Sequence, residues 1–306
     1  MKRAIVTGAT GAVGTALIKE LINNNIEVLV FCREGSARNA NIPVNSLVQT
    51  LYCDLTELSQ VENLTGKTYD VFYHFAWMGT TGDARNDMYL QNQNVQYSLD
   101  AVGLAKRFGC KRFIGAGSQA EYGRYEGVLK SDTPVFPEMG YGYAKLCAGQ
   151  MTRDYAHQLD MEHIWVRILS VYGPNDGAQS MVMSTINKLL EGEIPEFTKG
   201  EQMWDYLYSG DAAKAFYLLG DKGIDGKTYV LGSGSARPLA DYIRDIRDAV
   251  NPEMDIKLGA IPYSDKQVMY LKADTGEIES DADWKAETLF KDGILRTVSY
   301  VKKHRN

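Results

Sequence analysis

Thr7-Gly8-Ala9-Thr10-Gly11-Ala12-Val13-Gly14 is the stretch on which the reading of this chain turns. It lies between a short apolar run, Arg3 to Val6, and an amphipathic helical pattern, Thr15 to Asn23. Glycine at every third position lets the backbone leave a strand in a tight turn and come close to a ligand. The helix that follows offers free N–H groups and the positive end of its dipole, a setting for an anion. A glycine-rich turn without a ligand has the same spacing, so context decides. A place directly after the first strand and before the first helix is what a dinucleotide pyrophosphate requires.

Working outward from the loop, strand-like runs alternate with helical patterns. The strands fall at Arg3 to Thr7, Glu27 to Cys32, Leu47 to Cys53, Asp70 to Ala76, Arg112 to Ala116, His163 to Ser170 and Thr228 to Leu231. Helices are expected from Gly11, over Asn86 to Phe108, Tyr141 to Gln158, Met181 to Glu191 and Asp211 to Leu219. This alternation predicts an α/β fold, a doubly wound parallel sheet of the Rossmann type. A smaller C-terminal α/β domain is expected to bind substrate. The division predicted is 1–170 plus 209–236 for the dinucleotide domain and 171–208 plus 237–306 for the other. In such a sheet ligands bind outside the carboxyl ends of the strands, so the chemistry is sought there.

Composition narrows the function classes. A chain of 306 residues, 44% hydrophobic and 24% charged, buries a sizeable core. A net charge of −6 without a basic stripe opposes nucleic-acid binding. Met1-Lys2-Arg3 runs straight into a strand, so neither secretion nor a membrane span is expected and the predicted compartment is the cytoplasm. Cys32, Cys53, Cys110 and Cys147 lie far apart and are read as buried free thiols. The four histidines form no ligand-spaced cluster, and no metal site is expected.

The strand ends supply candidates for the cofactor site. After the second strand comes Cys32-Arg33-Glu34-Gly35-Ser36-Ala37-Arg38. A carboxylate here suits the ribose of NAD, and an arginine suits the 2′-phosphate of NADP. Cys32 holds the strand-end position and Arg33 follows it, so NADP is the expectation, with NAD through Glu34 as the alternative. Asp54, followed by Leu55, is either an acceptor for the adenine amino group or a helix N-cap. Ala76 is small enough at its strand end to let a flat ring approach. His74, within an apolar strand, reads as a structural residue beneath the site.

The fifth strand leads into Gly117-Ser118-Gln119-Ala120-Glu121-Tyr122-Gly123, placing Ser118 just past a strand end over the crevice. Then comes Tyr141-Gly142-Tyr143-Ala144-Lys145 at a helix start. The i, i+4 spacing puts both side chains on one face, where an ammonium would draw the phenol's pKa down towards working pH.

With these motifs in order, the chain resembles the extended short-chain dehydrogenase/reductases, in the branch that acts on sugar nucleotides. The likeness spans nearly the whole length: the glycine loop, Asp54-Leu55, His74-Phe75-Ala76, Asn94-Val95, Ser118 before Tyr122-Gly123, and Tyr141 with Lys145. It continues through Arg167 to Tyr172-Gly173-Pro174 and Trp204-Asp205-Tyr206-Leu207-Tyr208 before Asp211. The resemblance implies Ser118, Tyr141 and Lys145 as catalytic residues. It implies a cofactor held by Gly8, Thr10, Gly11, Ala12, Val13, Gly14, Arg33, Asp54, Leu55, Ala76, Asn94, Tyr141 and Lys145. Asn94 would border the nicotinamide end or sit on the helix surface. Asn175, Lys199, Gln202 and Arg237 are candidate diphosphate or sugar contacts, or ordinary surface residues.

Dehydratases of the branch carry an acidic residue directly after the catalytic hydroxyl residue. Gln119 and Ala120 stand there instead and cannot transfer protons, so elimination is disfavoured. The expected activity is reduction of a 4-keto-6-deoxy sugar nucleotide with NADPH, the alternative an NAD-dependent 4-epimerase. A non-catalytic NADP-binding regulator would have no need of Tyr141. The resemblance also implies a homodimer built through Asn86 to Phe108 and Tyr141 to Gln158.

Overall fold

The computed structural model describes residues 1–64 and 66–305. Seven parallel strands form the central sheet: β1 (Arg3–Thr7), β2 (Glu27–Cys32), β3 (Val48–Tyr52), β4 (Val71–His74), β5 (Arg112–Ser118), β6 (Glu162–Ile168) and β7 (Thr228–Leu231). Their spatial order is β7-β6-β5-β4-β1-β2-β3, so the winding direction reverses between β1 and β4. That reversal opens a crevice at the carboxyl edge, and the glycine loop leaves β1 at this point.

The inner strands are mostly apolar because helices cover both faces, while the edge strand β3 leaves Gln49, Thr50 and Tyr52 exposed. Ala4 and Val6 of β1 face one core with Leu17 and Ile18 of α1 (Ala12–Asn23) and Phe216 and Leu219 of α5 (Ser209–Lys222). Ile5, between them, faces the other core with Phe72, Phe113, Val102 of α2 (Met88–Arg107) and Phe108, the residue that caps that helix. α3 (Gly140–Gln158) lies beside α2 on that side. This is the Rossmann architecture expected from the sequence.

Several strand bounds differ from expectation by one or two residues, and two of these ends matter for the site. β4 stops at His74, because Ala76 N turns to the Thr7 side chain (3.4 Å) rather than to a neighbouring strand. β5 runs on to Ser118, since β6 continues beside it with Gly117 opposite Arg167 and Ser118 opposite Ile168. Ser118 is therefore the last strand residue. Glycine at 115 and 117 makes room for Trp165: a Cβ at either would lie 2.2 or 2.3 Å from the indole.

After β6 the chain builds a third core from α4 (Met181–Leu190), α6 (Leu239–Val250) and α8 (Phe290–His304), with Ile186, Tyr242, Ile246, Phe290 and Ile294 buried together. A further helix, α7 (Gly276–Ala282), packs near α5. Short strand pairs stitch this part together, among them Ser170–Tyr172 with Tyr206–Tyr208 and Met203–Trp204 with Arg237–Pro238. Asp205 anchors one crossing, its buried carboxylate accepting from Ser233 N, Gly234 N and Ala273 N at 2.7, 3.1 and 3.0 Å. Cys32, Cys53 and Cys110 are buried thiols as expected, but Cys147 is exposed on α3. It points away from the small-residue face, Ala144 and Ala148, that packs on Trp165. No described helix is long and apolar enough to cross a membrane.

Candidate active site

The three glycines of the loop do different work. Gly8 has φ +69°, and a Cβ there would lie 2.6 Å from Ala76 N. A Cβ at Gly14 would lie 2.3 Å from the Gly8 carbonyl oxygen. Both therefore serve close backbone packing. At Gly11 a Cβ would meet nothing nearer than Gly8 O at 3.9 Å, so the space it leaves belongs to the cleft. Gly11 is also the N-cap of α1, and no side chain caps it. The first helical bond is Thr15 N to Gly11 O at 2.9 Å, which leaves the first-turn N–H groups for an anion.

The cleft beside this loop encloses about 950 Å³, with Thr10, Gly11, Ala12, Arg33, Asp54, Leu55 and Ala76 on its walls. Gly8 lines it too, whereas Val13 packs into the core below and Gly14 supports the turn. Arg33 is exposed on the wall. Arg38 closes over the loop instead, donating to Thr10 O and Asn175 O at 3.2 Å each. Asp54 is the N-cap of a short turn: its Oδ1 accepts from Thr56 N at 3.1 Å, while Glu57 returns a bond to its own N–H. Both readings of Asp54 are thus compatible, since the capping residue also lines the cleft. His74 is structural, buried and bonded to Thr7 Oγ1 at 2.9 Å, with burial holding it neutral to about pH 3.

Asn94 corrects the expectation. It is neither on the helix surface nor turned to the cleft: its Oδ1 accepts from Met78 N (2.8 Å) and its Nδ2 donates to Met78 O (2.9 Å). One turn earlier on α2, buried Gln91 donates to Gly79 O and Ala84 O at 2.9 Å each and accepts from Trp77 Nε1 at 2.9 Å. Together Gln91 and Asn94 fasten residues 77–84 over the active-site end of α3. Asn86 completes the clasp by accepting from Gly140 N at 3.1 Å, at the start of that helix.

Ser118, Tyr141 and Lys145 converge at the end of β5. Lys145 Nζ donates to Ala116 O at 2.7 Å and lies 3.7 Å from the Trp77 ring centroid, against 5.8 Å from that of Tyr141. Burial pulls the ammonium down to about 7. The Tyr141 phenol moves the opposite way from the sequence expectation. Burial raises its pKa, opposed by the Ser118 hydroxyl and by Arg85, whose guanidinium lies 4.4 Å from the ring centroid. The i, i+4 geometry is as foreseen, but desolvation outweighs the nearby charge.

Beneath Ser118 lies a group that sequence reasoning left without a role. Glu121 is fully buried and accepts from Ser118 N (2.8 Å), Trp165 Nε1 (3.0 Å) and Arg167 Nε (2.7 Å). Arg167 also donates to Ser131 O at 3.1 Å and lies over the Tyr122 ring.

The candidate substrate contacts are dispersed. Asn175 lines the cleft in a left-handed conformation (φ 65°), held by Tyr300 Oη and Thr15 Oγ1. Gln202 is buried and accepts from Tyr263 Oη, and Arg237 pairs with Asp245 at 2.9 Å. Lys199 is exposed.

A cleft at the sheet's switch point, an uncapped glycine turn and a Ser/Tyr/Lys set define a dinucleotide-dependent oxidoreductase-like enzyme. The profile of the NAD dependent epimerase/dehydratase family matches residues 4–232, and the chain belongs to that family. It is similar to a putative UDP-glucose 4-epimerase of Methanocaldococcus jannaschii, 24% identical over 309 residues that cover 98% of each chain. Its fold is that of the UDP-N-acetylglucosamine 4-epimerase of Methanobrevibacter ruminantium M1 in complex with UDP-N-acetylmuramic acid. That likeness has a TM-score of 0.87 at 21% identity and covers 99% of this chain and 98% of the other. The UDP-glucuronic acid 4-epimerase of Bacillus cereus in complex with NAD matches with a TM-score of 0.85 at 20% identity, covering 99% and 100%.

Proposed function

We propose that this protein is a nucleotide-sugar 4-epimerase with a retained NAD. The observation that carries it is the convergence of Ser118, Tyr141 and Lys145 beside the cleft, with no acid at 119 or 120 and the Glu121 carboxylate taken by three donors. The first-turn N–H groups of α1 would hold the pyrophosphate, Asp54 and Arg33 the adenosine end, and Tyr141 and Lys145 the nicotinamide ribose. The cofactor supplies reversible hydride acceptance at a carbinol carbon. Tyr141 takes the hydroxyl proton and returns it, and Ser118 hydrogen-bonds the same oxygen. Gln119, whose Oε1 is buried without a partner, offers an acceptor where dehydratases carry an acid. The names of the relatives support epimerisation over net reduction. The test is to release and identify the bound cofactor and to follow UDP-sugars by NMR without added nucleotide. A tightly held NAD with interconversion at C4 is expected, and cofactor-free protein that turns over only with added NADPH would refute it.

Exposed Arg33 on the cleft wall, after a strand that ends in Cys32 rather than an acid, supports a second reading: a 4-keto sugar reductase using NADPH. Arg33→Ala then weakens NADPH selectively, by about 1.5 to 3 kcal/mol for a charge-assisted bond, and an equal loss for NADH would remove this reading. The reading includes a two-domain division as set out above and a homodimer through α2 and α3. These helices lie side by side with a groove between them lined by Leu99, Gly103, Met151 and Tyr155. Sedimentation as a monomer at micromolar concentration would count against the dimer.

A further inference from the structure

Arg85 stands on the turn Gly82–Asn86, which the clasp from α2 fixes over α3. Its guanidinium lies 4.4 Å from the Tyr141 ring centroid. Among the described residues its hydrogen bonding within the protein is slight: Nη1 reaches Thr80 O at 3.5 Å, and Nε is buried without a partner. A guanidinium kept so sparsely satisfied is oriented by the ring below it. Lys145 is placed differently. Its ammonium is committed to Ala116 O and the Trp77 face and lies farther from the phenol.

The two cations also differ in kind. Arginine keeps its charge at every working pH, whereas a buried ammonium is readily lost. When a phenol ionises, negative charge spreads into its ring, so a cation over that ring binds the phenolate more strongly than the phenol. The groups facing Tyr141 are Ser118 from the end of β5, Glu121 from the turn after it, Lys145 on its own helix, and Arg85. Glu121 opposes ionisation and Ser118 carries no charge.

We propose that Arg85 is the fixed cation of the site, a positioning residue whose guanidinium stabilises the phenolate that Tyr141 becomes when it gives up its hydroxyl proton and keeps the O–H bonding pair, while Lys145 serves mainly to bind. It rests on the reading of Tyr141 as the acid–base group. No sequence motif marks Arg85, because the contact is made by a loop packed across more than fifty residues of chain.

The test places difluorotyrosine at position 141 of the full-length protein and follows its ionisation by fluorine NMR. This signal reports the ring alone and needs no turnover. Arg85→Gln is expected to raise the midpoint by about one unit or more, in line with the loss of an opposite charge at this range. Arg85→Lys should recover part of the shift, and Lys145→Met should move the midpoint less than Arg85→Gln does. A shift below about half a unit in both Arg85 variants, or a larger shift in Lys145→Met, overturns the proposal. Should Arg85→Gln fail to fold, Arg85→Met, which also removes the charge, decides on the same threshold. Failure of the underlying reading looks different: Tyr141→Phe would then turn over at the parent rate whatever the NMR midpoint does.

Discussion

Glu121 offers the sharpest test of how the site is supported. Its carboxylate is wholly buried and receives three N–H donors, one from Ser118 at the end of β5, one from the Trp165 indole and one from the buried Arg167 guanidinium. Glu121→Ala leaves that guanidinium to Ser131 O and Tyr122 among the described residues, with no counter-charge. Truncating one partner of a buried pair costs about 3–5 kcal/mol, because the remaining charge stays desolvated. Ser118 N and Trp165 Nε1 would each lose an acceptor as well, at about 1–3 kcal/mol, though the terms overlap and do not add. The expected loss is therefore at least about 3 kcal/mol. Glu121→Gln keeps the shape but loses the charge and turns one acceptor oxygen into an N–H donor, set against either Arg167 Nε or the Ser118 N and Trp165 Nε1 pair, so a loss of at least about 1.5–3 kcal/mol is expected. Urea unfolding followed by circular dichroism reads both as shifts of midpoint at unchanged slope. If Glu121→Ala unfolded within about 1 kcal/mol of the parent, the buried pair would not be what holds Ser118, and the support argument would fail.

Two further expectations follow from the site. Tyr141→Phe removes the proton carrier but keeps the ring under Arg85, so turnover should fall roughly a hundredfold to ten-thousandfold while cofactor titration stays near the parent; an unchanged single-turnover hydride rate would refute the assignment. Lys145 ionises at about 7 in the folded protein and near 10.4 when unfolded, so the folded state binds fewer protons between those values and stability rises with pH across that window. The cost of the buried ammonium is carried in full below about 7, so Lys145→Met should melt above the parent near pH 6, with the gap closing towards pH 10; a gap constant with pH would show that Lys145 is not the titrating group.

Much of this was legible in the residues. The parallel strands stand out because burial on both faces makes them unbroken apolar runs, as in Glu27–Cys32, bounded by glycine or polar turns. Tyr141 and Lys145 share a helical face by spacing alone. What the spacing does not carry is which cation meets the phenol, since that depends on where a loop some sixty residues upstream is laid. A signal for that loop was nevertheless present. On α2 the buried positions are Gln91, Asn94, Val95, Ser98, Ala101, Val102, Leu104 and Ala105, all but Leu104 on one stripe whose first members are amides. Polar side chains on the apolar face of a helix must find partners, and here they are the backbone of residues 78–84. Asp54 illustrates the opposite limit: an N-cap and a ligand contact make the same demand on sequence, a short acidic side chain before a turn.

The arrangement around Ser118 also bears on which reactions the site supports. Expelling a hydroxyl needs an acid beside the carbon next to the oxidised one, in addition to the group that handles the carbinol proton. Three residues follow Ser118 within reach of such a role. Gln119 and Ala120 have no proton to give, and Glu121 is turned inward, its oxygens bound to Ser118 N, Trp165 and Arg167. To act as an acid Glu121 would have to abandon all three and leave Arg167 unpaired in the core, at a cost of about 3–5 kcal/mol. The carboxylate is thus spent on holding the serine in place. On the proposed reading Tyr141 then moves one proton for each hydride, which is the stoichiometry of carbinol oxidation and its reversal.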